Sequence, residues 1–311
     1  MSKKVVLLFA GQGAQKVGMG RDLMEAFPTA KALIDRADEV LGFPLSQIMF
    51  DGPIEELTKT SICQPALYLH GLAVLAVLKE KMPELDVAAC AGLSLGEFTA
   101  HASAGTFDFE TGLRVVYQRG TFMEEACLQT VGSMAAMIGG EESAVRELAK
   151  ECDVDVANLN APGQIVLSGA VEGIKAAVAG AKAKGILKAV ELTVAGAYHS
   201  RLMESAQAKL AVVLSETVVR VPGVPVISNF EAAAVNSDDV IRQTLTHQVT
   251  GSVRWSESMQ SLIREGNTYF LELGPGGVLA GLMKRIDRTV KVLTIEDVPS
   301  LEKAMVELAT I

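Results

Sequence analysis

The 311-residue chain carries 28 lysines and arginines against 37 aspartates and glutamates, a net charge of −9, with 49% hydrophobic and 21% charged residues. A chain of that length predicts about two domains around a sizeable core, and its composition excludes disorder, collagen and coiled coil. The acidic balance argues against a nucleic-acid partner or an anionic membrane surface, both of which need a basic footprint.

Val5–Phe9 reads as a buried first strand. The same N-terminal apolar run could pass for a signal peptide, but it stops at Ala10 and no cleavage-like segment follows. Helices are predicted over 30–41 and 65–81, then a strand over 87–91, a helix over Leu95–Ser103 and another over 110–127. Near residue 130 the pattern changes. Strand 133–138, helix 141–151, strands 154–160 and 164–168 flanking Ala161-Pro162-Gly163, helix 171–184 and strand 186–193 follow one another. That is β-α-β-β-α-β within about 60 residues, the ferredoxin-like order. The α/β rhythm then resumes with helix 201–218, strand 225–228, helix 256–265, strand 268–273, helix 277–285 and strand 290–294. Strands alternating with helices predict an α/β fold with a mainly parallel sheet. The expected organisation is a discontinuous large domain, 1–127 and 197–311, with a small ferredoxin-like domain inserted at 128–196. Cys63, Cys90, Cys127 and Cys152 form no CxxC pair, so reduced thiols are expected rather than a disulfide scaffold or a zinc site. No uncharged apolar stretch is read as approaching the roughly 18 residues of a membrane span. A soluble, cytoplasmic protein is expected.

Gly92-Leu93-Ser94-Leu95-Gly96 matches G-x-S-x-G between a strand and a helix. On such a turn small residues let the serine adopt a strained conformation, its hydroxyl projects above the sheet, and the next N–H, Leu95, faces a developing oxyanion. A serine nucleophile needs a base. His101 lies seven residues along the same helix, about 10 Å away at 1.5 Å per residue, and cannot reach. His70 falls in an apolar helical pattern and reads as a satisfied structural histidine. His199 stands where the inserted segment returns to the large domain, and His247 in a polar loop; spacing favours His199 and leaves His247 open. Gly11-Gln12-Gly13-Ala14-Gln15 fails as a dinucleotide fingerprint, because Lys16 stands where glycine is required, and it lacks a Walker lysine. It is either a tight turn or the source of a second oxyanion N–H, from Gln12.

These motifs, the serine motif running on to Glu97, with Tyr117-Gln-Arg-Gly120, Asn160-Ala-Pro-Gly-Gln164, Gly196-Ala-Tyr-His-Ser200, Gln248 with Val253-Arg-Trp255, and Glu272-Leu-Gly-Pro-Gly-Gly277, occur in order along the chain. Together they resemble the malonyl-CoA:acyl-carrier-protein transacylase family over essentially the whole length. The resemblance implies a hydrolase-like α/β large domain with a ferredoxin-like insertion. It assigns Ser94 as nucleophile, His199 as general base, Gln12 and Leu95 as oxyanion donors, and the main-chain carbonyl of Gln248 as the group that orients His199. Arg119 would hold the substrate carboxylate, with Tyr198 and Asn160 also at the substrate. It implies malonyl-CoA and acyl carrier protein as partners, no metal or other cofactor, and a monomer.

Three positions depart from the family pattern: Leu93 where histidine is common, Tyr198 in place of phenylalanine, and Ser252 in place of a proline. Arginine suits a carboxylate because its planar fork donates two parallel hydrogen bonds and stays charged when buried. The alternative for Arg119 is a helix-face residue paired with Glu124 or Glu125. A serine esterase or thioesterase would share the elbow and the histidine, but it carries an acid between them in chain order, for which no clear candidate is read. A silent carrier-binding module is disfavoured because the reactive residues are all present. An acidic carrier would need a local basic patch on this acidic chain; Lys284, Arg285 and Arg288 are the candidates, with Lys184 and Lys188 beside them.

Overall fold

The structure, a computed structural model, describes residues 4–310. Among these residues ten strands form two sheets: β1 Val5–Phe9, β2 Val87–Gly92, β3 Gly132–Ile138, β4 Asp155–Ala161, β5 Gln164–Ala170, β6 Lys188–Glu191, β7 Val226–Ile227, β8 Ala234–Val235, β9 Tyr269–Leu273 and β10 Lys291–Ile295. The first sheet runs β10-β9-β1-β2-β7-β8, parallel throughout except for the β7–β8 pair. A central parallel strand is buried on both faces and so reads as an unbroken apolar run. The five residues of β1 are all buried. Val5, Leu7 and Phe9 enter one core with the helices Thr60–Lys81 and Phe109–Gln129, while Val6 and Leu8 enter another with Trp255–Arg264 and Val278–Ile286.

The second sheet, β4-β5-β3-β6, is antiparallel throughout. Helices Glu142–Glu151 and Val171–Gly180 cover one face, where Ala135, Met137, Ile165 and Leu167 meet Val145, Leu148, Ile174 and Ala177. From the other face Met134, Ala157 and Val166 join the core of the large sheet. The outer edge of β4 is closed by a loop of the large domain. Leu159 N–H donates to Val253 O at 2.9 Å, Val253 N–H donates to Ala157 O at 2.8 Å, and the Ser252 hydroxyl donates to Val156 O. The position at which the family's proline is replaced thus contributes a bond that proline cannot make.

Several expectations change. The helix expected from Pro65 begins at Thr60, with Pro65 inside it. Contrary to the reading of the sequence, this helix is long and apolar enough to cross a membrane, with a mean hydropathy of 1.6 over 18 residues; 83% of that window is buried within the fold. His247 lies not in a loop but at the end of the helix Asp238–His247. The helices Arg21–Ala26, Leu45–Asp51, Ile54–Thr58 and Val298–Leu308 were not anticipated, so a helix follows the final strand.

Candidate active site

Ser94 sits between the end of β2 and a helix that starts at Leu95, with φ 55° and ψ −108°. The turn closes only because its neighbours lack side chains. A Cβ on Gly92 would lie 2.0 Å from the backbone of Gly96, and one on Gly96 would lie 2.1 Å from Phe9 O. Asn229 braces the turn, its Oδ1 accepting from Ser94 N–H and its Nδ2 donating to Gly92 O, both at 2.7 Å. Among the described residues no backbone carbonyl or side chain accepts from the N–H of Gln12 or of Leu95.

His199 Nε2 lies 2.7 Å from Ser94 Oγ, and Nδ1 lies 2.8 Å from Gln248 O. A carbonyl can only accept, so Nδ1 carries the proton and Nε2 is left to take the serine's. Burial, reinforced by the positive charge of Arg119, lowers the His199 pKa to about 4. His101 is buried beside Thr106 Oγ1, and His247 packs on the ring of Phe230. His70 Nε2 bonds Glu296 O, but its Nδ1 has no partner, so that histidine is only half satisfied.

Arg119 is 1% exposed and pairs with neither glutamate suggested for it. Glu124 accepts from Ser61 N–H, and Glu125 pairs with Lys209. The guanidinium donates to Gln64 Oε1 at 2.7 Å, Gln248 Oε1 at 2.8 Å and Ser94 Oγ at 3.2 Å, and lies 5.2 Å from the Phe98 ring centroid. Burial pulls its pKa down to about 10, opposed by Glu97, so it stays charged near neutrality. Gln248 therefore acts twice, through its carbonyl on His199 and through its side chain, whose Nε2 donates to Ser94 O at 2.9 Å and Glu97 Oε2 at 2.6 Å. Glu97 is fully buried, and burial raises its pKa to about 7 against the donors around it. It is an acid between serine and histidine in chain order, but its carboxylate accepts from Gln248 and Asn229 rather than from His199.

A cavity of about 450 Å³ opens onto Ser94, walled by Gln12, Leu95, Asn160, Tyr198 and His199 together with Leu93, Met134 and Val166. Tyr198 is tied by a 2.6 Å hydrogen bond to Thr60 Oγ1, and Asn160 Oδ1 is buried without a partner. The helix Val278–Ile286 puts Val278 and Leu282 on the same wall. Lys284 and Arg285, near the end of that helix, and Arg288 beyond it lie at the protein surface. Lys184 is engaged by Glu147 and Glu151 and does not add a free charge to that patch. Among the described residues no group of three or more His, Cys, Asp or Glu is placed to hold a metal. Sequence reading gave no role to Gln64, Glu97 or Asn229; only Glu97 left a signal, as the acid that ends the serine motif and the one carboxylate on the helix Leu95–Ser103.

Residues 6–307 match the acyl transferase domain family. The chain is 41% identical over 307 residues to the malonyl CoA-acyl carrier protein transacylase of Bacillus subtilis, covering 97% of this chain and 96% of that one. It is 39% identical over 294 residues to that organism's polyketide biosynthesis malonyl CoA-acyl carrier protein transacylase, covering 93% and 99%. A solved structure of a malonyl-transacylase in complex with a type II polyketide acyl-carrier protein superposes with a TM-score of 0.95 at 36% identity, over 98% of this chain and 100% of that one. On a match of that extent, the chain belongs to the acyl transferases, within the malonyl-CoA:acyl-carrier-protein transacylase family.

Proposed function

We propose that the protein moves the malonyl group of malonyl-CoA to the phosphopantetheine thiol of an acyl carrier protein, as a cytoplasmic monomer supplying fatty acid synthesis. In this reading 1–127 and 197–311 form the catalytic domain and 128–196 an inserted one. The observation that carries it is a buried, charged Arg119 at 3.2 Å from the hydroxyl that His199 is set to deprotonate. Ser94 Oγ attacks the thioester carbonyl as its proton passes to His199 Nε2, and the N–H groups of Gln12 and Leu95 receive the oxyanion. The intermediate collapses, the carbon–sulfur bond breaks, and CoA leaves with the proton from His199. The carrier thiol then gives its proton to His199, attacks the malonyl-serine ester and releases Ser94, which recovers that proton. Every step is acid–base or nucleophilic chemistry of the chain's own groups, so no metal or other cofactor enters. Asn160 and Tyr198 line the acyl chamber, and Lys284, Arg285 and Arg288 orient the carrier.

The experiment is intact-mass analysis with malonyl-CoA, followed by a chase with holo carrier protein. One malonyl group is expected on the wild type, lost to the carrier in the chase and absent in Ser94→Ala. A Ser94→Ala protein that turns over at the wild-type rate overturns the reading. Charge reversal at Lys284 and Arg285 is expected to raise the carrier's KM, and an unchanged KM removes that patch. The 39% identity to a polyketide relative favours a second reading in which the carrier serves a polyketide pathway. Parallel chases with both carrier types separate the two.

A further inference from the structure

Glu97 has no part in the transfer steps above, yet it lies at the centre of the groups that perform them. It follows Ser94 by one helical turn, its N–H donating to Ser94 O at 3.1 Å. Its Oε2 accepts from Gln248 Nε2 at 2.6 Å and from Asn229 N–H at 3.0 Å. Each of those partners reaches the reacting groups from a different side. Gln248 holds His199 with its carbonyl and Arg119 with its Oε1, while Asn229 holds the backbone on both sides of the elbow.

The chemistry of a primary amide makes this arrangement one-directional. Its nitrogen can only donate and its oxygen can only accept. With Nε2 between Glu97 and Ser94 O, the Gln248 oxygen must face the guanidinium. Turned over, the amide would set N–H against N–H at Arg119 and oxygen against oxygen at Glu97. A buried carboxylate is costly unless it is used in hydrogen bonds; here Oε1 is buried without a partner among the described residues, so the two donors on Oε2, Gln248 and Asn229, are what hold it.

We propose that Glu97 is a positioning residue for malonyl transfer: its carboxylate fixes the sense of the Gln248 amide and seats Asn229, and so holds Arg119, His199 and Ser94 in register. The inference rests on the proposed transfer reaction. It extends that reading by giving the acid a task at one remove from the histidine.

The test is single-turnover acylation of the full chain by malonyl-CoA and by acetyl-CoA, followed by intact mass, with thermal melting to confirm folding. Wild type and Ser94→Ala come first. A wild type that takes up no malonyl group defeats the functional reading itself, before any Glu97 variant is measured. Given acylation, Glu97→Ala is expected to slow malonylation on the order of 10²-fold, the scale of a misplaced reacting group, and to narrow the preference for malonyl over acetyl. Glu97→Gln, which keeps an acceptor oxygen, should recover most of the loss. Combining Glu97→Ala with Gln248→Ala should cost little more than the worse single change, because the two act as one unit. The inference is overturned by wild-type acylation in Glu97→Ala, by equal losses for the two acyl groups, by Glu97→Gln faring no better than Glu97→Ala, or by losses that multiply in the double variant. Where Glu97→Ala does not fold, Glu97→Asp, which withdraws the acid by one methylene, replaces it in every arm, and the same outcomes support or overturn the inference.

Discussion

A guanidinium at 1% exposure is costly unless its charge is hydrogen-bonded, and because Arg119 Nε is buried without a partner among the described residues, the terminal nitrogens carry all of its bonds. Two go to the side-chain amides of Gln64 and Gln248, and the longest bond, 3.2 Å, goes to the nucleophile itself. A substrate carboxylate at Ser94 therefore meets a donor whose present bond is the weakest of the three. Hydrogen bonds to charged groups contribute roughly 1.5–3 kcal/mol each. Arg119→Ala is thus expected to cut malonyl transfer on the order of 10²-fold while acetyl transfer falls far less. Initial rates with the two CoA esters check this, and equal losses would mean that Arg119 braces the site without choosing the acyl group. Ser94 was legible in the sequence because the small residues of its turn enforce its conformation, whereas His199 was separated from His247 only by the family resemblance; both take positive φ, 55° and 56°. Asn229 and Gln64 were not legible, because their partners lie far away in the chain and nothing beside either residue marks its role. The pairing of His199 with a backbone carbonyl leaves no side-chain trace at all. Gln248 was found through the family motif and not through its chemistry.

The strand–turn–helix that presents Ser94 depends on two glycines more than on the serine. With a Cβ on Gly92 only 2.0 Å from the Gly96 backbone, the helix would have to move off β2. Gly92→Ala is expected to destabilise by at least the roughly 1–3 kcal/mol of an overpacked core, read as a drop in melting temperature and in soluble yield. A wild-type melting curve would show that the turn has slack that the geometry denies. Elements with strong periodicity or an unbroken apolar run were legible, such as β1 and the helix Leu95–Ser103, whose bounds agree residue for residue. Three short helices between residues 21 and 58 were missed, since five to seven residues hold too few turns to show a period. The helix Val298–Leu308 had a readable start: Asp297 and Ser300 form a capping box with a proline in the first turn. Pro65 misled in the opposite direction. Proline is favoured at the start of a helix, but the chain begins this one earlier and loses one internal bond to keep Thr60 beside Tyr198.

For the molecule as a whole, three histidines are buried neutral, with pKa values lowered to about 4 at His70 and His199 and about 3 at His101, chiefly by burial. In the unfolded chain each takes a proton near pH 6.5. Their contribution to stability is present above that value and is lost as pH falls toward 4, or toward 3 for His101, at roughly 3 to 5 kcal/mol each when the transition is complete. Glu97, raised to about 7, has the opposite sign: its contribution is present below the ordinary carboxylate range and is lost as pH rises through 7. Burial raises Glu272 in the same sense. The histidines outweigh the acids, so the melting temperature is expected to fall between pH 7 and pH 4.5. Melting curves across that range check it, and a flat or rising trend would mean that the histidines accept protons while the fold persists.

The closed outer edge of β4 bears on how such enzymes can be recombined. Ser252 and Val253 bond to Val156, Ala157 and Leu159, only four residues beyond the carbonyl that orients His199. A chimera that imports a foreign antiparallel sheet, with crossovers before β3 and after β6, would join that sheet to a strand partner that belongs to another. The mismatch would be transmitted straight to the base. The exchangeable unit is therefore larger than the contiguous segment from β3 to β6: residues 248–254 belong to its inheritance, although they lie some fifty positions downstream.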